Sequence, residues 1–181
     1  MRPKRVTFHH SHSPYFVSTQ THDRRPFFRH DPRVRLMLST IGHYDGMGYK
    51  LHAYVVMPDR LHLLLTPIDT IEKAVQLIKG GFSFRAKREL SWPGEVWQSG
   101  FTDHRIRDEE DWLRHIEYIR KNPIEARLVK DSAPYEFMGF PDVAIPQGLK
   151  PSDIRGSDYV RAKARTLQPK ADIAQWGKKL S

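Results

Sequence analysis

Two strand-like runs stand end to end near the middle of the chain, and they constrain its fold more than any other feature. Residues 49–57 (YKLHAYVVM) and 61–66 (LHLLLT) are dense in aliphatic and aromatic side chains. Pro58-Asp59 is a tight connection between them, so the two runs are expected to pair as an antiparallel hairpin. The segments around the hairpin extend the pattern. Residues 15–21 (YFVSTQT) alternate apolar and polar side chains, as a half-buried strand does. Asp31 before Pro32 is a helix start, followed by Val34, Met37, Leu38 and Ile41 at helical spacing, with Gly42, Gly46 and Gly48 expected to close the helix. After the hairpin, Asp69 or Thr70 caps a second helix that buries Ile71, Val75 and Ile78. Lys79-Gly80-Gly81 is expected to interrupt it before residues 82–90 resume. Residues 92–101 read as an aromatic loop and 102–107 as a short fourth strand. Asp108 then caps a helix with Glu109, Glu110 and Asp111 in its first turn, the sign favoured at that end. Its apolar stripe is Trp112, Ile116 and Ile119, and Pro123 is expected to limit it. The order strand, helix, strand, strand, helix, strand, helix predicts an α+β, ferredoxin-like (RRM-like) sandwich, a central antiparallel sheet with helices packed on it.

Charge narrows the function classes. The 181 residues carry a net charge of +9 and a pI near 9.9, a field that attracts polyanions, of which nucleic acid is the commonest. The absence of cysteine excludes disulfides, thiolate metal sites and a cysteine nucleophile. No apolar run is long enough to span a bilayer, and the first dozen residues lack the apolar stretch of an export signal, so a cytoplasmic protein with no membrane partner is expected. The chain divides into a basic N-terminal arm, 1–14, with His9, His10 and His12; a main domain, 15–140; and a basic C-terminal extension, 141–181. From Lys150 onward eight basic residues face three acidic ones, which marks either a nucleic-acid-binding appendage or a solvated tail.

The helix after Asp108 carries a second stripe beside its core face. Tyr118 and Asn122, four apart, lie one above the other, with His115 one turn earlier. Asn122 falls at the helix C-terminus, where the partial negative charge of the backbone favours a cation. A tyrosine can attack a phosphodiester and keep the bond energy in a phosphotyrosine link. Because a phenol ionises only near pH ~10, such a nucleophile needs help, usually a divalent metal on the phosphate. A half-buried packing tyrosine is the bland alternative. In the hairpin, residues 60 and 62 face one side while Leu61 and Leu63 face the other. Two histidines there would make a pair of metal ligands, but this chain has only His62; position 60 is Arg. A lone strand histidine is also compatible with a structural role.

Four segments in order, residues 55–67 (VVMPDRLHLLLTP), 77–83 (LIKGGFS), 96–107 (VWQSGFTDHRIR) and 118–129 (YIRKNPIEARLV), resemble the REP-associated tyrosine transposases. That family is similar to the single-tyrosine transposases of small insertion sequences, within the HUH endonuclease superfamily. The likeness runs over residues 15–137. It implies that Tyr118 is the nucleophile that becomes linked to a DNA 5′-phosphate. It further implies that His62 is the second histidine of the metal-binding pair and Asn122 the third ligand. The implied ion is Mg2+ or Mn2+, and the implied substrate is single-stranded DNA with hairpins, handled by a monomer or homodimer.

Arg60 departs from the family pattern, which has His at that place. A guanidinium offers no lone pair and repels a cation. Three outcomes are open: Arg60 clamps the scissile phosphate itself, the metal binds weakly and cleavage is slow, or catalysis is lost and a hairpin-binding protein remains. The expected function is therefore a transposase-like single-stranded DNA endonuclease and strand transferase. A catalytically weakened or inactive hairpin binder is the alternative, and an RNA- or ribosome-associated protein a third class. His104 is a further catalytic candidate, as proton carrier or phosphate contact, against a hydrogen-bonded strand histidine. His115 could tune the phenol or face solvent. Lys79, Arg85, Lys87 and Arg88, with Arg105 and Lys121, are candidate nucleic-acid contacts, and Phe82, Phe84 and Trp92 are candidate stacking residues, one of the two phenylalanines being expected in the core.

Overall fold

The computed structural model describes residues 13–130 and 133–151. Residues 1–12 of the arm, with its three histidines, and the tail beyond 151 lie outside the described residues, as do 131 and 132. Five strands form one antiparallel sheet: β1 (Tyr15–Gln20), β2 (Tyr49–Met57), β3 (Arg60–Pro67), β4 (Thr102–Arg105) and β5 (Met138–Gly139), in the order β4-β1-β3-β2-β5. The helices are α1 (Asp31–Tyr44), α2 (Ile71–Glu89) and α3 (Glu109–Glu125). The element order β1-α1-β2-β3-α2-β4 is the ferredoxin-like one expected from the sequence, and β5 adds a short edge strand that the sequence did not announce.

Strand alternation splits the core in two. Side chains such as Val17, Leu51, Tyr54, Leu61, Leu63 and Leu65 pack on one face with Met37, Ile41, Val75, Ile78 and Phe82 of α1 and α2. Ala53, Val55, Met57 and Leu64 point to the other face and meet Trp112, Ile116 and Ile119 of α3. The apolar stripe read on α3 is thus its buried face. Chain after residue 140 continues over this second core, since Val143, Ile145 and Leu149 pack on it and the Glu109 amide donates to the Lys150 carbonyl at 3.1 Å.

Helix ends follow their caps. Thr70 Oγ1 accepts from the Lys73 amide at 3.2 Å, and Asp108 Oδ1 from the Asp111 amide at 2.8 Å. Three expectations fail. Gly42 lies inside α1, which runs on to Tyr44. α2 is one uninterrupted helix through Gly80-Gly81. Glycine at 81 serves close approach rather than a break: a Cβ there would sit 2.6 Å from the Tyr44 ring at the end of α1. Pro123 is within α3, whose last turn reaches Glu125.

Candidate active site

The site lies between the sheet and α3. Register puts Phe16, Ser18 and Gln20 of β1 opposite Leu64, His62 and Arg60 of β3, and Phe16 opposite His104 of β4. These positions share the face that α3 covers. From α3, the stripe beside the apolar one presents Tyr118, with His115 a turn before and Asn122 a turn after.

Three rings meet there. Tyr118 approaches His62 edge-on at 5.4 Å between centroids and 74°, and approaches Phe16 at 5.4 Å and 87°. Phe16 in turn stacks on His62 at 5.5 Å and 21°. The phenol of the late helix and the imidazole of the hairpin, widely separated in sequence, are neighbours in space. Tyr118 remains 41% exposed although it rests on the buried His62 and the partly buried Phe16. Asn122 is 7% exposed on the same stripe.

His62 is 3% exposed, and neither ring nitrogen has a hydrogen-bond partner. Burial, reinforced by the positive Arg60, pushes its pKa down to about 4, so at neutral pH it is an uncharged imidazole with a free lone pair. His52 makes an instructive contrast. It is buried on the same face and likewise pushed down to about 4 by burial, yet Nε2 meets Thr66 Oγ1 at 2.8 Å and Nδ1 meets the Asp142 carbonyl at 3.1 Å. A structural histidine in this fold is fully partnered; His62 is not. Two orphaned nitrogens in a buried ring are costly unless something binds them.

That orphaned ring is the measure of whether a divalent cation fits. His62 offers a lone pair and Asn122 a carbonyl oxygen; Arg60 offers none. Its guanidinium is instead paired with its neighbour Asp59, Nε to Oδ1 at 2.9 Å and Nη2 to Oδ2 at 3.2 Å. Asp59, read from sequence as a turn residue, thereby cancels much of the charge that would repel a cation. Two neutral N/O donors suit an ion that completes its shell with water and phosphate oxygens.

His104 belongs to a separate group. Its Nε2 lies 2.7 Å from Asp111 Oδ2, and its ring stacks on His115 at 4.9 Å and 21°. His115 touches Phe16 at 4.8 Å and is partly buried, its side chain 17% exposed, rather than solvent-facing. The Asp111 carboxyl feels burial, which raises its pKa, but the His104 contact and the Arg107 amide outweigh it and hold the group below its ordinary value. Sequence reading missed both Phe16 and Asp111 as site residues. The Asp111/His115 spacing of four on α3 was visible, but the partners on β1 and β4 come from strand order.

The basic candidates are dispersed. Lys79, Arg85, Lys87 and Arg88 lie on α2, across the sheet from Tyr118. Lys79 Nζ donates to the carbonyls of Gln98 at 2.9 Å and Gly100 at 2.6 Å, and Arg85 braces α2 against Ser39 and Thr40 of α1 while pairing with Glu89. Lys87 and Arg88 are exposed, as are Arg105 and Lys121 on the β4 and α3 side; Lys121 pairs with Glu117 at 3.4 Å. Of the aromatic candidates, Phe82 is core, Phe84 is exposed under Arg88, and Trp92 packs on the first core with Arg33 over it. Among the described residues no helix is long and apolar enough to cross a membrane.

Comparison with known proteins gives no matching family model. A REP-associated tyrosine transposase of Escherichia coli strain K12 is 30% identical over 112 residues, 60% of this chain and 64% of that protein. A Haemophilus influenzae protein provisionally assigned to the same family is 30% identical over 107 residues, 51% of this chain and 59% of its own length. This chain thus matches less than two thirds of either relative. A solved REP-associated tyrosine transposase bound to a REP hairpin superimposes with a TM-score of 0.62 at 19% identity, covering 95% of this chain and 93% of that one, which establishes the shared fold. With the ordered motifs, the sheet order and these relatives in agreement, the chain is similar to the REP-associated tyrosine transposases and shares the fold of the solved one.

Proposed function

We propose that this chain binds hairpin-bearing single-stranded DNA and cleaves it by attack of Tyr118. The observation that carries the reading is the contact between the exposed Tyr118 phenol and the buried, neutral, unpartnered His62. In the step, the phenolic oxygen forms a bond to phosphorus as the bond from phosphorus to the 3′ oxygen breaks. The phenolic proton is given up and the departing oxygen takes one. The product is a 5′-phosphotyrosine link whose energy is kept for rejoining. A Mg2+ or Mn2+ ion held by His62 and Asn122 would supply positive charge to the phosphate oxygens. Phe16 fixes the His62 ring from one face and the Tyr118 ring from its edge, so the nucleophile is oriented before DNA arrives. Arg60, released from Asp59, can clamp a phosphate with two parallel hydrogen bonds. Of the basic residues, Arg105 and Lys121 stand on the elements that build this site; Lys87 and Arg88 would contact only DNA that wraps the α2 face.

Arg60 favours a second reading, a hairpin binder with weak or no cleavage, because it removes a ligand from the ion. One experiment separates the two. Incubation of the full chain with a hairpin oligonucleotide and Mn2+ should give a covalent adduct on a denaturing gel, absent from Tyr118→Phe and stronger in Arg60→His. Salt-sensitive binding that Tyr118→Phe leaves intact, with no adduct from either the native chain or Arg60→His, would establish the second reading instead.

A further inference from the structure

We propose that His104, Asp111 and His115 form a second cation site, distinct from His62 and Asn122, that takes a divalent transition-metal ion of the Zn2+ and Mn2+ class. The three residues come from two elements, β4 and the first two turns of α3, brought together by the pairing of β4 with β1. One ligand atom from each lies within 4.8 Å of those of the other two. Ligands on opposite sides of a common ion at about 2.0–2.2 Å stand at most roughly 4.4 Å apart. Small side-chain rotations therefore close the set on an ion.

The cluster has features that an ordinary helix-terminal ion pair lacks. The Asp111 side chain is 8% exposed, and its Oδ1 has no hydrogen-bond partner. It stands 3.2 Å from His115 Nδ1, but that nitrogen bonds better to the Asp111 backbone carbonyl at 2.8 Å. The two imidazoles stack at 4.9 Å between centroids and 21°, which holds the rings of β4 and α3 side by side. His104, 42% exposed, leaves a route from solvent. Two imidazoles and one carboxylate make a borderline donor set, suited to Zn2+, Mn2+ or Co2+ over Ca2+, and three protein ligands leave positions open for water or a phosphate oxygen. Phe16 touches both His115 and the Tyr118/His62 pair, so the two sites flank one ring.

The test uses the full chain without a purification tag, stripped of metal, in a background where His9, His10 and His12 are replaced by Gln. Zn2+ binding is measured by calorimetry, and Co2+ by its visible absorption. His104→Gln and His115→Gln should each weaken binding at least about tenfold, the scale set by loss of mere outer-sphere partners. His62→Leu and Tyr118→Phe should leave this binding unchanged, which keeps it separable from the cleavage reading. Zn2+ should also raise the melting temperature of the native chain and not of the two glutamine variants. Where a variant melts differently without metal, anomalous diffraction from Zn2+-soaked crystals of the native chain decides: a peak among the three side chains is expected. Equal affinity in folded native and variant proteins, or no peak there at saturating Zn2+, overturns the proposal.

Discussion

Replacing His62 with Leu should make this protein more stable while disabling it. The imidazole is buried on a sheet face between Phe16 and Tyr118, and both its nitrogens lack partners. A buried polar group left unsatisfied costs about 1–3 kcal/mol. Leucine fills a similar volume with no polar atom, so His62→Leu should gain roughly that amount at pH 7 in urea unfolding. Acid enlarges the difference. In the unfolded chain this imidazole takes a proton near pH 6.5, but in the folded protein only near pH 4. The folded state is therefore penalised progressively as pH falls through that window. Integrated over it, linkage makes the loss about 3 kcal/mol, which the leucine variant should not suffer. His52, pushed down equally, keeps its own share of the acid loss in both proteins. The assay is ΔG of unfolding between pH 4 and 7.5 for native and variant chains. A variant less stable at pH 7, with an acid limb parallel to the native one, would refute the picture of a neutral, orphaned imidazole.

The glycine pair in α2 should respond in opposite directions. Nothing lies within 4 Å of a Cβ at Gly80, so Gly80→Ala should gain about 1 kcal/mol of helix propensity, whereas Gly81→Ala meets the Tyr44 ring and should lose stability; thermal melts suffice to tell. Asp108→Ala, which removes the α3 cap, should cost about 1 kcal/mol in urea unfolding. Trp112→Ala, at the fully buried centre of the second core, should cost about 3–5 kcal/mol and loosen the helix that carries Tyr118. Arg60→His should increase Mn2+ affinity measured by calorimetry, and an unchanged affinity would show that position 60 does not face the ion.

Much of this architecture was legible because it depends on local chemistry. Alternation in residues 15–21, the apolar runs flanking Pro58-Asp59, and the Asp108 cap each dictate a conformation within a few residues. What escaped depends on neighbours distant in sequence. Gly80-Gly81 reads as a breaker until Tyr44 is seen packing where a side chain would be. Met138–Gly139 is too short to signal a strand, and it pairs because Tyr54 and Val55 present an open edge. Of the candidate site, Tyr118 and Asn122 could be placed on one stripe from helical spacing alone, whereas strand parity gave only the face of His62 and the family resemblance singled it out. Phe16, Asp111 and the His104/His115 stack needed the strand order β4-β1-β3, which no local pattern encodes. Arg85 illustrates the converse: an exposed-looking arginine at helical spacing proves to be a brace between α1 and α2.

The most direct test of the account is to find where DNA becomes attached. After reaction with a hairpin oligonucleotide and Mn2+, nuclease trimming and trypsin digestion, mass spectrometry should locate a nucleotide phosphate on the peptide 115–120, at Tyr118. Using Arg60→His as well as the native chain ensures that a weak ion does not hide the chemistry. A nucleotide on Tyr15 or any other residue, or a 115–120 peptide recovered wholly unmodified from both proteins, would contradict the assignment of Tyr118 as nucleophile.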